Sequence, residues 1–374
     1  MSFTVFSTNI ALTGGDAMDE KNHYATLDGL RGVAALAVVI FHITQPSAIK
    51  PASHGYLAVD FFFALSGFVI AAAYERRLTT NMTLGDFFVR RVIRLWPMII
   101  AGVLIGVVGK ATKMAAQQAP DPVLLSVLLV AGLLLVPLQI GRDDYPQAYP
   151  LNPAHWSLFY EVAANFVYAA SLRFLATRIL WLVLGVSGLA LAWVSYAGDG
   201  LLPGSMMSEY PWGLSRVVFS FSAGVLIYRH RPAISLPIPL IIGLLLAALC
   251  IPSPGFTWAY DLACAFVVFP LVVAAGANHQ PRKAGIYLLG GRISYPIYAI
   301  HYPFFPTFAH VIRSYGLTGA REAGALCAEF LLVVALAYLL LRFYDEPVRK
   351  RLTDFTRKRI ALKAARWRRR EPAE

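Results

Sequence analysis

The sequence predicts an all-α polytopic membrane protein, a bundle of about ten transmembrane helices with both termini in the cytoplasm. Three observations predict this class. Hydrophobic residues make up 57% of the 374 residues, and charged residues only 14%. The mean hydropathy is +0.58. Apolar runs long enough to cross a hydrocarbon layer of ~30 Å recur along the chain.

Eleven apolar segments are candidate spans, and several of them are short. They lie near residues 29–45, 57–75, 92–109, 122–140, 156–174, 178–197, 211–228, 236–251, 258–276, 286–309 and 323–344. The spans therefore cover most of the chain, and the polar links between them are brief. We expect the chemistry to occur inside the helical bundle or at its edge.

Basic residues accumulate in cytoplasmic loops, and their distribution sets the predicted topology. Twelve of the 33 basic residues lie between Arg342 and Arg370, and five arginines lie between Arg76 and Arg94. Further basic links contain Arg173 and Arg178, Arg229 and Arg231, and Arg282 and Lys283. Simple alternation through eleven spans cannot place all of these groups in the cytoplasm. Alternation succeeds if residues 92–140 make one net crossing, so the third or fourth candidate is predicted to be re-entrant, interfacial or half-length.

The predicted organisation is a cytoplasmic leader (1–26), one membrane domain (27–348) and a basic cytoplasmic tail (349–374). The leader is mixed polar and acidic and lacks the continuous apolar core of a signal peptide. The tail can lie on anionic lipid as a basic helix containing Trp367. Nucleic-acid binding is the weaker interpretation of its arginines, because the chain is membrane-embedded. The expected location is the cytoplasmic (inner) membrane of a bacterium.

The three cysteines indicate neither a zinc site nor a disulfide framework. Cys250, Cys264 and Cys327 fall within apolar segments and lack CxxC or Cys/His ligand spacing. We interpret them as packing residues and expect no metal.

The first span, LDGLRGVAALAVVIFH, contains Arg31 and His42. Eleven residues are almost three helical turns, so both side chains share one face, separated along the axis by roughly 16 Å. A charge inside an apolar helix is costly and usually marks a functional pocket. A lone histidine is more often structural, so the case for His42 depends on its neighbours.

The second span, VDFFFALSGF, supplies Asp60 and Ser66. Asp60 lies near the outer end of an antiparallel neighbour, where it could orient the His42 imidazole and fix its tautomer. The alternative is a helix N-cap, since aspartate favours that position before an apolar run. The two roles are compatible.

The third span begins at FFVRRVIRLWP, in which Arg91 and Arg94 share one helical face. Guanidinium groups three residues apart suit bidentate capture of phosphates at a membrane boundary. Ordinary anchoring of a span by basic residues explains the same pattern. Spacing alone does not decide between them.

The fifth span begins at HWSLFYEV, with Trp156, Ser157 and Glu161. Glu161 lies about a turn and a half inside an apolar helix, so it should face the bundle interior or a cavity. Ser157 and Glu161 form one i,i+4 pair. A serine nucleophile is disfavoured, because no G-x-S-x-G elbow is present.

The tenth span, RISYPIYAIHYPF, places Ser294, Tyr298 and His301 on one helical stripe beside Tyr295. Its prolines predict a kink and freed backbone carbonyls. An aromatic belt at the membrane interface is the usual reason for such tyrosines. Arg216, in GLSRVVFSFSAG, is one more intramembrane cation, and simple ion pairing is its alternative role.

Taken in order, these segments resemble the acyltransferase-3 family of integral membrane acyltransferases, over essentially the whole chain. The resemblance depends on Arg31 with His42, FFxxSG at Phe62–Gly67, RxxR at Arg91 and Arg94, WSLxxE at Trp156–Glu161, and SYxxYxxH at Ser294–His301. Each motif alone is weak, and the ordered set of five is specific. Two departures, Ala58 before the valine–aspartate pair and Ala299 in place of leucine, change packing size more than reactive groups.

The resemblance implies transfer of an acyl group, commonly acetyl, from cytoplasmic acyl-CoA to a carbohydrate hydroxyl, with the bilayer as surroundings. It makes His42 central to catalysis, as general base or as a transient acyl carrier. Asp60 or Glu161 would orient His42. Donor binding is assigned to Arg31, Arg91, Arg94, Ser66, Trp156 and Ser157. Acceptor binding is assigned to Arg216, Ser294, Tyr295, Tyr298 and His301.

Some of these hydroxyls, those of Ser66, Ser294 and Tyr298, are also candidates to stabilise the developing oxyanion. Two alternatives remain open at this point. A transporter or flippase of a polar lipid-linked sugar would line its path with the same intramembrane Arg, His and Glu side chains. The same chemistry could also act on a macrolide-type small molecule.

Overall fold

A computed structural model describes residues 24–138, 147–202, 204–252 and 255–368, with side chains through residue 358. Within those ranges the regular structure is helical, and the β-structure is limited to one isolated bridge, between Gln147 and Met206. The helices are α1 Ala25–Ile43, α2 Ala58–Thr80, α3 Leu84–Ala116, α4 Pro122–Leu133, α5 His155–Ser171, α6 Thr177–Ala197, α7 Tyr210–His230, α8 Ile238–Cys250, α9 Thr257–Ala263, α10 Phe269–Asn278, α11 Gly285–Ile300, α12 Phe305–Ser314, α13 Gly319–Leu340 and α14 Glu346–Arg368.

Six helical segments of the described chain are long and apolar enough to cross a membrane. They are Ala25–Ile43, Gly55–Thr80, Leu84–Ala116, Thr177–Ala197, Thr257–Asn278 and Gly319–Lys358. The predicted class, an all-α membrane protein, is therefore confirmed. The count of ten crossings, the cytoplasmic termini, the bacterial inner membrane and the domain boundaries stay predictions.

The fourth candidate span is half-length. Helix α4 has 12 residues, which at 1.5 Å per residue is roughly 18 Å, too short for a hydrocarbon layer of ~30 Å. The Asp121 carboxylate caps its start by accepting from the Leu124 N–H at 2.8 Å. Leu133 ends the helix and accepts from the Trp96 indole of α3 at 2.9 Å. This supports one net crossing for residues 92–140, of which 139–140 lie outside the described residues.

The tenth candidate span, predicted as one kinked helix over 286–309, is instead two helices. Helix α11 ends at Ile300, a single 3-10 turn follows at Tyr302–Phe304, and α12 begins at Phe305. Pro303 lies in that turn and Pro306 in the first turn of α12, because proline lacks the N–H that an uninterrupted helix would need there. Pro296 is accommodated inside α11.

The last candidate span continues into the predicted tail. Helices α13 and α14 are joined by a π-helical turn, Leu341–Asp345, so the chain stays helical to Arg368. The Glu346 carboxylate accepts two bonds from Arg292 of α11, at 2.9 and 2.6 Å. These bonds fix the start of α14 beside the middle of α11.

Close backbone approach brings two helix pairs together around the site. A Cβ at Gly32 of α1 would come within 2.8 Å of the Gly290 backbone of α11, and one at Gly224 of α7 within 1.9 Å of the Ala64 carbonyl of α2. Small residues allow helices to pack this closely. Helices α1 and α11, and α2 and α7, therefore have fixed registers.

Three of the predicted cytoplasmic links, those with Arg76, Arg173 and Arg229, meet at one end of the bundle, which we call the basic end. There Glu75 of α2 accepts a bond from Arg229 of α7 at 3.0 Å and another from Tyr168 of α5. At the same end, Thr26 of α1 donates to the His279 carbonyl after α10 at 2.7 Å. Helix α1 begins at the basic end and α2 finishes there, so His42 and Asp60 lie toward the opposite end.

Candidate functional site

A cavity of about 120 Å³ lies among α1, α2, α3, α5 and α11, toward the basic end. Nine of the fourteen residues singled out in the sequence line it: Arg31, Ser66, Arg91, Arg94, Ser157, Glu161, Ser294, Tyr295 and Tyr298. Most of the remaining wall is apolar, as at Phe62, Leu95 and Leu158. Motifs that are up to 267 residues apart in the sequence thus meet at one pocket.

Arg31 is tied to α11 across the helix pair. Its Nε donates to Ser294 Oγ at 2.9 Å, and one terminal nitrogen donates to Asp28 Oδ1 at 2.9 Å and to the Gly291 carbonyl at 2.6 Å. Ser294 in turn donates to Gly291 at 2.8 Å. The guanidinium is therefore held in one position at the cavity wall, with its charge balanced by Asp28.

Arg91 and Arg94 keep hydrogen-bond donors without partners. A terminal nitrogen of Arg91 donates to Glu161 Oε1 at 3.0 Å, and the Arg94 guanidinium lies over the Tyr295 ring at 5.3 Å. The Arg91 Nε and one terminal Arg94 nitrogen are buried and have no partner among the described residues. An unpaired buried donor on a charged group is costly. A ligand with acceptor atoms would remove that cost.

Several hydroxyl groups line the cavity, those of Ser66, Ser157, Ser294 and Tyr298 among them. The Ser157 and Tyr298 hydroxyls are 2.5 Å apart, and either can donate to the other. Both also lie within reach of the Ala154 carbonyl, at 3.1 Å for Ser157 and 3.4 Å for Tyr298. Ser66 Oγ lies 3.4 Å from Glu161 Oε1, to which it donates. The three predicted oxyanion donors, Ser66, Ser294 and Tyr298, thus all direct their protons to protein atoms here, and their role in catalysis stays a proposal.

His42 lies outside the cavity wall, near the end of α1. Its Nδ1 is 2.9 Å from the Val38 carbonyl and 3.3 Å from Nε2 of His301. The ring of Tyr302 approaches His42 with centroids 5.0 Å apart. His301 also contacts the ring of Tyr298, at 5.6 Å, and Tyr298 lines the cavity. A continuous set of side chains therefore joins the cavity to His42.

The expected contact between His42 and Asp60 or Glu161 is not formed. Asp60 and Arg216 make a two-bond ion pair, Nε to Oδ1 at 3.1 Å and a terminal nitrogen to Oδ2 at 2.6 Å, with side chains 0% and 1% exposed. The close approach of α7 to α2 brings Arg216 to this position. Asp60 is the third residue of α2, whose N-cap is Leu57, so the N-cap alternative is wrong as well.

Trp156 belongs to the same region as the ion pair and not to the cavity. Its indole lies 5.3 Å from the Arg216 guanidinium. Of the predicted residues, Asp60, Trp156 and Arg216 therefore form one buried cluster, while His42 and His301 form another. The sequence indicated their polarity in an apolar setting and could not indicate these partners.

Three residues of the buried ion-pair cluster were missed in the sequence. The Tyr56 carbonyl accepts from Arg216 at 3.2 Å, and the Tyr56 hydroxyl donates to Asp261 at 2.8 Å. His54 Nδ1 is 3.3 Å from Asp261. The sequence could have indicated Asp261, because it is a lone acidic residue in an apolar span. Nothing in the sequence distinguished the loop residues His54 and Tyr56. Within the described residues, no group of three His, Cys, Asp or Glu side chains could hold a metal ion.

Comparison with known proteins gives a consistent family assignment. The sequence profile of the acyltransferase-3 family, described as an acyltransferase domain, matches residues 24–342. Protein 2 in the picA locus of Rhizobium radiobacter is 38% identical over 178 residues, which are 45% of this chain and 92% of that protein. No solved structure matches the chain.

Two longer relatives come from Staphylococcus aureus. A putative O-acetyltransferase of strain COL is 24% identical over 379 residues, 91% of this chain and 58% of that protein. The O-acetyltransferase OatA of strain NCTC 8325 is 25% identical over 378 residues, 90% of this chain and 59% of that protein. The chain therefore spans less than three fifths of the length of these two relatives.

Proposed function

Because the chain belongs to the acyltransferase-3 family, we propose that it moves an acyl group, commonly acetyl, from cytoplasmic acyl-CoA to a hydroxyl of a carbohydrate. The donor would occupy the cavity at the basic end. The acceptor would approach His42 from the opposite end. Relatives described as O-acetyltransferases support transfer to oxygen.

The observation that carries the donor assignment is the pair of buried, unpartnered guanidinium nitrogens on Arg91 and Arg94. Asp28 balances the charge of Arg31, and Glu161 that of Arg91. Arg94 forms no ion pair with a described residue. The cavity therefore has an excess positive charge and free donors, which suit the phosphates of coenzyme A.

The apolar part of the cavity suits the flexible arm of the donor. Phe62, Leu95 and Leu158 line it, and Tyr298 leads from it toward His301 and His42. Arg31 and His42 are separated along α1 by roughly 16 Å, from eleven residues at 1.5 Å each. Phosphates at the arginines would thus leave the thioester free to reach toward the histidine.

In the proposed step, Nε2 of His42 takes the proton of the acceptor hydroxyl while that oxygen attacks the thioester carbonyl. The new C–O bond forms, the C–S bond breaks, and the coenzyme A thiolate leaves and takes the proton from His42 Nε2, which restores the neutral base. Transient acylation of His42 itself gives the same net reaction. Neither route requires a metal ion.

The test uses the purified full chain in detergent or nanodiscs, with release of the free thiol as the readout. We expect His42→Ala to lower turnover by about two to four orders of magnitude while the protein stays folded, because a general base contributes that much. His310→Ala is the matched control, since His310 is exposed on α12. Near-normal transfer by His42→Ala would remove His42 from the mechanism.

The same preparation separates the rival functions. A transporter or flippase of a lipid-linked sugar would bind its substrate and cleave no thioester. Mass spectrometry of surface glycans from expressing and deleted cells identifies the acceptor. Acylated glycans only in expressing cells support the carbohydrate, and an acylated macrolide-type product instead would overturn that assignment.

A further inference from the structure

We propose that His301 is the positioning residue of His42: it fixes the tautomer of His42 and stabilises the imidazolium that forms during transfer. The inference rests on the proposed role of His42 as a base. It replaces the carboxylate partner expected from the sequence, because Asp60 is paired with Arg216 and Glu161 with Arg91.

The tautomers follow from the two backbone carbonyls that the rings contact. A carbonyl oxygen only accepts, so a ring nitrogen within hydrogen-bond distance of one must carry a proton. His42 Nδ1 is 2.9 Å from the Val38 carbonyl, and His301 Nδ1 is 2.8 Å from the Tyr298 carbonyl. Both Nδ1 atoms are therefore protonated, and in the neutral rings both Nε2 atoms have a free lone pair.

The lone pair of His301 Nε2 faces His42. The two atoms, His301 Nε2 and His42 Nδ1, are 3.3 Å apart, so the Nδ1 proton of His42 is shared between His301 and Val38. Nε2 of His42 then has no hydrogen bond to any described residue and remains a base. The arrangement leaves one acceptor atom on His42, at the position that the reaction needs.

His301 is itself fixed. It is 2% exposed and lies at the break between α11 and α12, where its backbone N–H still bonds to the Ile297 carbonyl at 3.1 Å. Rings of Tyr298 and Tyr302 contact it, with centroids 5.6 and 6.1 Å away. A partner whose own rotamer is locked by packing can hold His42 to a narrow range of orientations.

The hydrogen bond from His42 to His301 becomes stronger during the reaction. When His42 accepts a proton at Nε2, its Nδ1–H becomes a cationic donor, and hydrogen bonds from charged donors are roughly twice as strong as neutral ones. His301 supplies a neutral acceptor, so no buried carboxylate is needed beside the substrate. A carboxylate there would have required its own compensation in a low-dielectric region.

The test compares three variants of the full-length protein by steady-state kinetics of thiol release. His301→Phe retains a ring and removes the acceptor, and we expect kcat to fall roughly 10- to 100-fold, as for loss of a hydrogen bond to a charged group. The KM for acyl-CoA should change less than about threefold, because the donor site is elsewhere. His310→Phe, the same change on an exposed histidine, should behave like the wild type.

His301→Gln distinguishes positioning from packing. The glutamine amide has an acceptor for His42 Nδ1 and a donor for Tyr298, so we expect kcat to recover to within about fivefold of the wild type. Equal losses in His301→Gln and His301→Phe, wild-type kcat in His301→Phe, or a change confined to KM would each overturn the inference. Failure of the wild type to cleave acyl-CoA would instead overturn the proposed function.

Discussion

The cation of Arg216 and those of Arg91 and Arg94 look alike in the sequence and differ in the structure. All three lie in apolar helices. Arg216 is 1% exposed and bonds to both carboxylate oxygens of Asp60 and to the Tyr56 carbonyl. Arg91 and Arg94 border a cavity, and each keeps a buried nitrogen with no partner among the described residues.

The difference teaches that the satisfaction of donors, more than burial, separates a structural cation from a binding one. The Asp60–Arg216 pair has compensated its desolvation with its own hydrogen bonds, so a ligand would gain little there. Arg91 and Arg94 are desolvated, and their hydrogen bonds do not fully compensate for it. An anionic ligand that binds the folded protein would add the missing hydrogen bonds and so stabilise it.

The largest effect that tests this comparison is on stability. Arg216→Met leaves the Asp60 carboxylate buried without its partner, so we expect the free energy of unfolding to fall by about 3–5 kcal/mol. The measurement is the thermal unfolding midpoint of the purified protein in detergent. Adding Asp60→Leu should recover much of the loss, since a buried ion pair can be replaced by apolar residues.

If Arg216→Met instead kept the unfolding midpoint of the wild type and raised the KM for the acceptor, the Asp60–Arg216 pair would not be a structural ion pair. Arg216 would then be the substrate-binding residue that the sequence indicated.

The second effect is on donor binding. Arg91→Met with Arg94→Met should raise the KM for acyl-CoA by roughly 10- to 100-fold, because hydrogen bonds to charged groups contribute about 1.5–3 kcal/mol each. Thermal stability should change little, because removal of the unpaired donors on both side chains offsets the loss of the Arg91–Glu161 ion pair. Arg90→Met, on an exposed neighbour of the same helix, is the matched control. Unchanged donor saturation would make the pair a topology signal only.

Helical periodicity predicted which side chains share a helix face. Arg91 and Arg94 are three residues apart in the sequence, and Ser294 and Tyr298 are four apart. Each pair therefore lies on one face of its helix. The distribution of basic residues also predicted that the third or fourth candidate span is re-entrant, interfacial or half-length. The sequence did not indicate whether the third or the fourth candidate is the short one, because the length of the fourth depends on where α4 ends, at Leu133.

Partners across the bundle could not be predicted. Asp60 and Arg216 are 156 residues apart, and their contact follows from the register of α2 against α7, which Gly67 and Gly224 permit by close backbone approach. The His42–His301 contact likewise follows from the register of α1 against α11, since His301 keeps helical backbone angles and an N–H bond to the Ile297 carbonyl at the end of α11. The prolines of this segment predicted a kink and gave no information on that register.

The smallest effect concerns Glu161, which the sequence assigned to His42 and the structure places on Arg91 at 3.0 Å. In Glu161→Gln the amide oxygen can still accept from Arg91, so the guanidinium keeps its position while a negative charge that faces the donor phosphates is lost. We expect the KM for acyl-CoA to fall by about two- to fivefold, with kcat within about threefold of the wild type. Thiol-release kinetics measure both. A kcat loss of about 100-fold or more at unchanged KM would show that Glu161 takes part in the chemical step. The carboxylate would then do more than balance the charge of a donor-binding arginine.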